Sequence, residues 1–233
     1  MKEEETNIEG ISMKTITATV IIMLAVTEAG FSQNINWRSM REDEQNLLQF
    51  NAGYDFGVTS QINYGRSFTM IRPVMLGLDF SFPMGGDLLD DFKVRLGGQI
   101  EIVEMNGFSA TIRIASIFRQ YQTDFVSISS FGSDFAVAAG YYTPTWSVGG
   151  EFGFDKSITS RIKHSEVMRN SFPGIKDGWY IPSGGHYYYG FQGGKTIGES
   201  FDLSLRLGAT KVQGKDEEAL LPVYLQLGLG MRF

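Results

Sequence analysis

The amino-acid sequence predicts an all-β chain that closes into a single antiparallel up-and-down barrel, and two observations carry this prediction. From Leu48 to Phe233, apolar and polar residues alternate with a period of two over most of the chain, as in strands with one apolar face. Glycine, with 28 residues, and aromatic residues, at 13%, are frequent in this 233-residue chain, which is typical of many short strands joined by tight turns. No segment carries the periodicity of an amphipathic helix.

The alternation also locates the strands. The alternating segments are 48–64, 74–82, 92–102, 108–118, 135–141, 146–154, 187–191, 201–207 and 223–233. These lengths are about the 9–11 residues that a tilted strand needs to cross a bilayer. The strand number must be even, because the chain is expected to enter and leave the barrel on the same side of the membrane. The segment 48–64 is therefore two strands folded near residues 57–59, which gives ten strands; eight is the alternative if one short segment is not a strand.

Two features distinguish a membrane barrel from a water-soluble sandwich. The apolar faces of the segments are almost free of charge, as expected where a Lys or Arg facing lipid at the midplane costs about 2–4 kcal/mol. The connections also alternate in length. Short connections are predicted at residues 104–107, 143–144 and 195–200, and longer ones at residues 84–91, 121–132, 157–185 and 212–220. Outer-membrane barrels have short periplasmic turns and long extracellular loops, so the barrel is predicted to span an outer membrane.

The first 32 residues are interpreted as an N-terminal extension and a signal peptide that starts at Met13. Lys14 supplies the positive charge and residues 16–26 the apolar core, and the stretch 29–32 places small residues at the -3 and -1 positions of a cleavage site before Gln33. The acidic run before Met13 does not suit a signal peptide. The alternative is a disordered N-terminus followed by a short buried helix.

After cleavage, the chain divides into two parts. Residues 33–46 are polar and non-periodic, and they are predicted to form a periplasmic tail. Residues 47–233 form the transmembrane barrel. The chain has no cysteine, which excludes a disulfide framework, a thiolate metal site and a catalytic thiol. The net charge of -6 and the lack of a basic stripe argue against nucleic acid as a partner.

The signal peptide, the strands rich in glycine and aromatic residues and the C-terminal Leu-Gly-Leu-Gly-Met-Arg-Phe resemble those of bacterial outer-membrane β-barrel proteins of the porin-like superfamily. The resemblance covers residues 47–233 and is a class pattern. It implies location in a bacterial outer membrane, with outer-membrane lipid around the barrel. A last strand ending in Phe233 is similar to the signal that the barrel-assembly machinery reads, so that machinery is an expected partner.

Charged residues on the polar faces of the strands are predicted to line the lumen. They are Asp55, Asp79, Arg95, Glu101, Arg113, Arg119, Glu151, Arg206 and Arg232. With Lys93 and Asp202 added, the two signs nearly balance. This balance favours an internal network of ion pairs, because a selective pore would carry a ring of one sign. Tyr187 and Tyr189 are expected to lie in an aromatic girdle at the membrane interface. Tyr188, between them, is expected to point into the lumen.

The long connection at residues 157–185 holds the residue types of a hydrolase. His164, Ser165 and Glu166 supply a base, a hydroxyl and a carboxylate, and His186 is a second candidate base. The stretch resembles the His-x-Ser-Asn region of outer-membrane lipid A deacylases. It departs from that pattern because His164 and Ser165 are adjacent, and adjacent side chains on a strand point to opposite faces.

The leading hypothesis is therefore a non-enzymatic outer-membrane barrel without metal or cofactor. It is either a narrow channel or a membrane scaffold that displays the connection at residues 157–185. One alternative is a barrel enzyme that hydrolyses lipid or lipopolysaccharide. Another is a subunit of an envelope complex, contacted through the loops or the polar tail.

Overall fold

The computed structural model of the chain describes residues 35–55, 57–85, 89–182, 184–214 and 222–233. The predicted signal peptide and its cleavage site before Gln33 lie outside the described residues. Within these ranges, no helix has both the length and the apolar character needed to cross a membrane.

Ten long antiparallel strands in the described chain form a closed barrel, in which consecutive long strands are hydrogen-bonded and the last pairs with the first. They are β1 (Asn46–Tyr54), β2 (Val58–Thr69), β3 (Pro73–Pro83), β4 (Asp91–Met105), β5 (Phe108–Gln122), β6 (Val126–Tyr142), β7 (Trp146–His164), β9 (His186–Ile197), β10 (Phe201–Val212) and β11 (Val223–Arg232). The short strand β8 (Gly178–Tyr180) pairs with β7 outside the ring. The prediction of a single ten-stranded antiparallel barrel is confirmed, and the eight-strand alternative is wrong.

The first two strands meet at a turn that lies slightly before its predicted position. Tyr54 pairs with Val58, and the backbone N–H of Asp55 donates to the Gly57 carbonyl at 2.9 Å. The connection between the two strands therefore lies between Tyr54 and Val58, before the predicted position at residues 57–59. Because three residues separate Tyr54 from Val58, the even-numbered residues of β1 pair with even-numbered residues of β2. The apolar side chains of both strands therefore lie on the outer face.

Strands β5, β6 and β7 run further than predicted. β5 and β6 are joined by a tight turn at residues 123–125, and β7 continues to His164, followed by the short helix α1 (Glu166–Ser171). The prediction of loops over all of residues 121–132 and 157–185 is wrong for these strand ends. Serine, threonine and charged residues are common there, because strand ends beyond an apolar belt need no apolar face. We call residues 120–130 and 157–182 the extension.

The outer surface of the barrel carries an apolar belt bounded by aromatic rings. Near the end that bears the extension, the ring centroids of Phe92 and Phe118 are 5.9 Å apart, and those of Phe118 and Phe131 are 5.0 Å apart. Phe108 and Tyr141 lie ten residues from Phe118 and Phe131, toward the other end of the same strands. Ten residues span about 33 Å of strand, which at a tilt of about 40° gives a belt about 25 Å tall, the height of the apolar band of outer-membrane barrels.

The two ends of the barrel differ. At one end, which we call the terminal end, β1 begins and β11 ends. The short turns also lie there, including the turn at Asn106 and Gly107, both of which have positive φ angles. The other end, the loop end, carries the extension and the longer connections. Strand β11 illustrates the alternation between the outside and inside of the barrel: its odd-numbered residues are exposed and its even-numbered residues are buried.

Candidate functional site

The interior of the barrel is polar and is the candidate functional site. Seven of the nine charged residues predicted to line the lumen have buried side chains: Asp79, Arg95, Glu101, Arg113, Glu151, Arg206 and Arg232. The other two lie toward the loop end and are partly exposed. Asp55 contacts Lys93 and Arg95, and Arg119 binds both carboxylate oxygens of Asp91 at 2.9 and 2.8 Å.

Arg206 is the centre of one half of the interior. Its Nε donates to Glu151 Oε1 at 2.5 Å, and its Nη1 donates to Gln226 at 3.2 Å. The guanidinium also lies over the ring of Tyr224, 4.5 Å from the centroid, and Tyr224 donates its hydroxyl proton to Glu151 Oε1 at 2.7 Å. The Glu151 carboxylate is thus held by a cation and a phenol from two other strands.

Asp134 organises the other half of the interior. Tyr188 donates to Asp134 Oδ1 at 2.7 Å and accepts a hydrogen bond from Arg113 Nη2 at 2.6 Å. The Arg95 guanidinium contacts three carboxylates, those of Asp79, Asp55 and Asp134, at 3.4, 3.7 and 3.8 Å. Strands on different sides of the barrel are joined by these contacts.

These groups form one connected set that crosses the lumen. We call it the lumen network, and each of the ten barrel strands contributes at least one residue to it: Asn51, Gln61, Asp79, Arg95, Arg113, Asp134, Glu151, Tyr188, Arg206, Tyr224 and Gln226. Opposite charges held in contact offset the large cost of removing each of them from water. At the level of the lumen network, the interior therefore holds opposite charges in contact, and the network does not form a ring of one sign.

Residues 35–45, which we call the N-terminal segment, cover the terminal end. Asn36 Nδ2 donates to the Thr143 carbonyl at 2.8 Å, and Ile35 packs against Leu47 and Met75. On the rim, Arg41 binds Glu199 at 2.7 Å. The sequence predicted a polar tail here, but these residues are packed against the barrel.

A buried ion pair, Glu44–Arg232, holds the N-terminal segment against the terminal end of the barrel. Glu44 accepts a hydrogen bond from Arg232 Nη1 at 3.0 Å, and Arg232 Nε lies 2.9 Å from Asp202. Burial raises the pKa of Glu44, but hydrogen bonds from the Arg41 backbone N–H, Arg232 and Ser200 outweigh burial and hold that pKa below its usual range. Glu44 is therefore a carboxylate at neutral pH, paired with Arg232. Sequence reasoning missed Glu44 because no periodicity marked its segment.

The extension separates the residues proposed for hydrolysis. His164 Nδ1 lies 2.9 Å from Asp177, whose pKa is lowered by hydrogen bonds from the His164 backbone N–H and ring. Ser165 Oγ accepts a hydrogen bond from the Met168 backbone N–H at 3.3 Å and so caps α1. His186 lies on β9, with Nδ1 3.7 Å from Asp155. In the part of the chain that is described, neither histidine is hydrogen-bonded to Ser165, so the geometry gives the hydrolase hypothesis no support.

Metal binding receives no support either, since the described residues contain no group of three or more histidine, aspartate or glutamate side chains arranged to hold a metal ion.

The sequence also left Asp134 unnamed, although its position next to the outward-facing Phe135 assigns it to the polar face.

No protein-family model matches this chain, and no curated protein matches it. Among solved structures, the chain is similar to the β domain of the Bordetella autotransporter BrkA, with a TM-score of 0.42 and 12% sequence identity. The similarity covers 82% of this chain and 99% of that chain.

Proposed function

We propose that this protein is an integral outer-membrane β-barrel of the porin-like superfamily that acts as a scaffold for the extension and does not conduct ions. The lumen network is the observation that carries the proposal. Each barrel strand contributes to it, and its charges are paired across the lumen. An ion entering the lumen would have to separate buried ion pairs, which is costly in a low-dielectric interior.

Two further features support the proposal. The N-terminal segment lies over the terminal end, anchored by the pair Glu44–Arg232. At the other end, β7 continues ten residues beyond Phe154 and carries β8 and α1. A scaffold of this kind keeps its barrel closed and presents the extension to solvent. A narrow channel, by contrast, needs a continuous water-filled path.

The surroundings of the barrel are part of the same proposal. The apolar belt would contact outer-membrane lipid, the last strand ending in Phe233 would be read by the barrel-assembly machinery, and the extension would meet any envelope partner. The hydrolase alternative is not proposed, because Ser165 is a helix cap.

Conductance in planar lipid bilayers tests the proposal. The refolded full-length protein is expected to insert without discrete current steps. A variant that lacks residues 33–45 and carries Glu151→Ala and Arg206→Ala is expected to conduct, since it removes both the cover and half of the lumen network. The same deletion with Glu151 and Arg206 retained is the matched control, and it is expected to stay closed. Discrete current steps from the unmodified protein would contradict the scaffold proposal.

A further inference from the structure

The outer surface of the barrel changes character where the apolar belt ends on β7 and β9, at the loop end. Phe154 of β7 pairs in register with Tyr187 of β9, and their ring centroids are 4.7 Å apart. Tyrosine is enriched where the apolar core of a membrane meets the lipid headgroups. The two rings therefore mark the level, on this side of the barrel, at which headgroups would begin.

Lys156 faces outward just beyond these two rings. It lies two residues after Phe154 on β7, so its side chain points to the same face as the Phe154 ring. Its partner on β6 is Ser133, which is exposed, whereas the neighbouring pair, Asp134 and Asp155, faces the lumen. The Lys156 ammonium group is therefore carried on the outer surface of the barrel.

A second lysine, Lys211, faces outward on β10. It is exposed, and it lies opposite Tyr187 and on the same face as Leu207, an exposed residue of the belt. Two strand spacings of about 4.8 Å and an offset of two residues, about 3.3 Å each, put the Cα atoms of Lys156 and Lys211 about 12 Å apart. Since lysine side chains are long and flexible, both ammonium groups can reach one headgroup that lies over Tyr187.

No carboxylate balances these lysines on the described outer surface around them. Neither lysine forms a hydrogen bond or an ion pair with another residue that the structure describes. The outward-facing side chains beside them on the strands are uncharged: Ser133, Tyr187, Tyr189, Leu207 and Ala209. At the terminal end, by contrast, two arginines of the N-terminal segment pair with glutamates of the rim at 2.8 and 2.7 Å. The described part of the loop-end rim at β7–β10 therefore carries unpaired positive charge directly beyond the apolar belt.

We infer that Lys156 and Lys211 bind the phosphate group of an anionic lipid whose acyl chains lie on the apolar belt. Lysine attracts phosphate as a compact point charge, and each basic residue close to an anionic membrane surface strengthens the attraction about fivefold. Both lysines lie directly beyond the belt, where the headgroup of a lipid lies relative to its chains. The inference rests on the proposed function in one respect, since the belt must face lipid, and it adds the chemistry of the lipid at one sector of the rim.

Native mass spectrometry of the refolded full-length protein, released from a non-ionic detergent, tests the inference with two lipids that share the same acyl chains. Dioleoyl phosphatidic acid is expected to bind more tightly than dioleoyl phosphatidylcholine, whose headgroup has no net charge. The double variant Lys156→Gln/Lys211→Gln is expected to weaken binding of phosphatidic acid about twentyfold and to leave binding of phosphatidylcholine unchanged. Unchanged binding of phosphatidylcholine also shows that the belt of the variant is intact.

Lys163→Gln/Lys176→Gln is the matched control, because it removes the same charge from two exposed lysines of the extension. Lys163 lies nine residues beyond Phe154 on β7, further than the screening length of about 8 Å at physiological ionic strength, so binding of phosphatidic acid is expected to change less than twofold. Glycerol 3-phosphate, a headgroup without chains, is expected not to displace phosphatidic acid at equal concentration. Displacement by it, equal weakening by the two double variants, or equal binding of the two lipids would overturn the inference alone. Failure of both lipids to bind would contradict the lipid-facing belt as well.

Discussion

Replacing Glu151 by Ala is expected to lower the free energy of unfolding by about 3–5 kcal/mol, because it leaves a buried cation without its partner. Arg206 would keep Gln226 and the rings of Tyr188 and Tyr224 as neighbours, but none of these carries a negative charge. Tyr224 would also lose the acceptor of its hydroxyl hydrogen bond. We therefore expect Glu151→Ala to be the most destabilising single truncation within the lumen network.

Urea unfolding in lipid vesicles, followed by tryptophan fluorescence, measures this change. The matched control is Glu104→Ala, which removes the partner of Arg38 in an ion pair at the solvent-accessible rim. Exposed ion pairs contribute about 0–1 kcal/mol, so the control is expected to unfold near the urea concentration of the unmodified protein. Equal destabilisation by the two variants would show that the lumen network contributes no more than a surface pair.

Replacing Leu227 by Arg is expected to destabilise the inserted barrel by about 2–4 kcal/mol, the cost of a cation facing lipid near the midplane. Leu227 lies at the middle of β11 on the outer face and is 63% exposed. In a water-soluble barrel, such an exposed position would accept Arg with little change. The expected loss therefore depends on the lipid around the apolar belt, and not on packing inside the protein.

Ile181→Arg is the matched control for this prediction. Ile181 is also a large apolar residue, 85% exposed, but it lies in the extension beyond the apolar belt. Its replacement is expected to change the free energy of unfolding by less than about 0.5 kcal/mol. Both variants are measured by urea unfolding in the same vesicles. A tolerated Leu227→Arg would mean that the belt does not face lipid.

The ten strands could be predicted because one face of each strand is apolar and points outward, whereas the other is polar and points into the lumen. Even the division of the first segment into β1 and β2 followed from an even strand number. The same signal is lost beyond the apolar belt. Ser127 and Ser129 of β6 lie on the same face and Ile128 on the other, but all are partly exposed at the loop end, so no strict pattern marks the extended strands.

Within the lumen, the sequence predicted which side chains point inward but not which would pair. Glu151 and Arg206 are 55 residues apart, and Glu44 and Arg232 are 188 residues apart. Their contacts depend on the register of every intervening strand and on the shear of the barrel, which no local pattern specifies.

The most direct test of the central claim is cysteine labelling on intact bacteria, which is straightforward because the chain has no native cysteine. Lys176→Cys introduces a thiol in the extension, and Ile71→Cys introduces one in the exposed turn between β2 and β3 at the terminal end. A membrane-impermeant maleimide is expected to label residue 176 on intact cells and residue 71 only after the outer membrane is permeabilised. Labelling of residue 71 but not residue 176 on intact cells, or of neither residue until permeabilisation, would contradict an outer-membrane barrel that displays its extension at the cell surface.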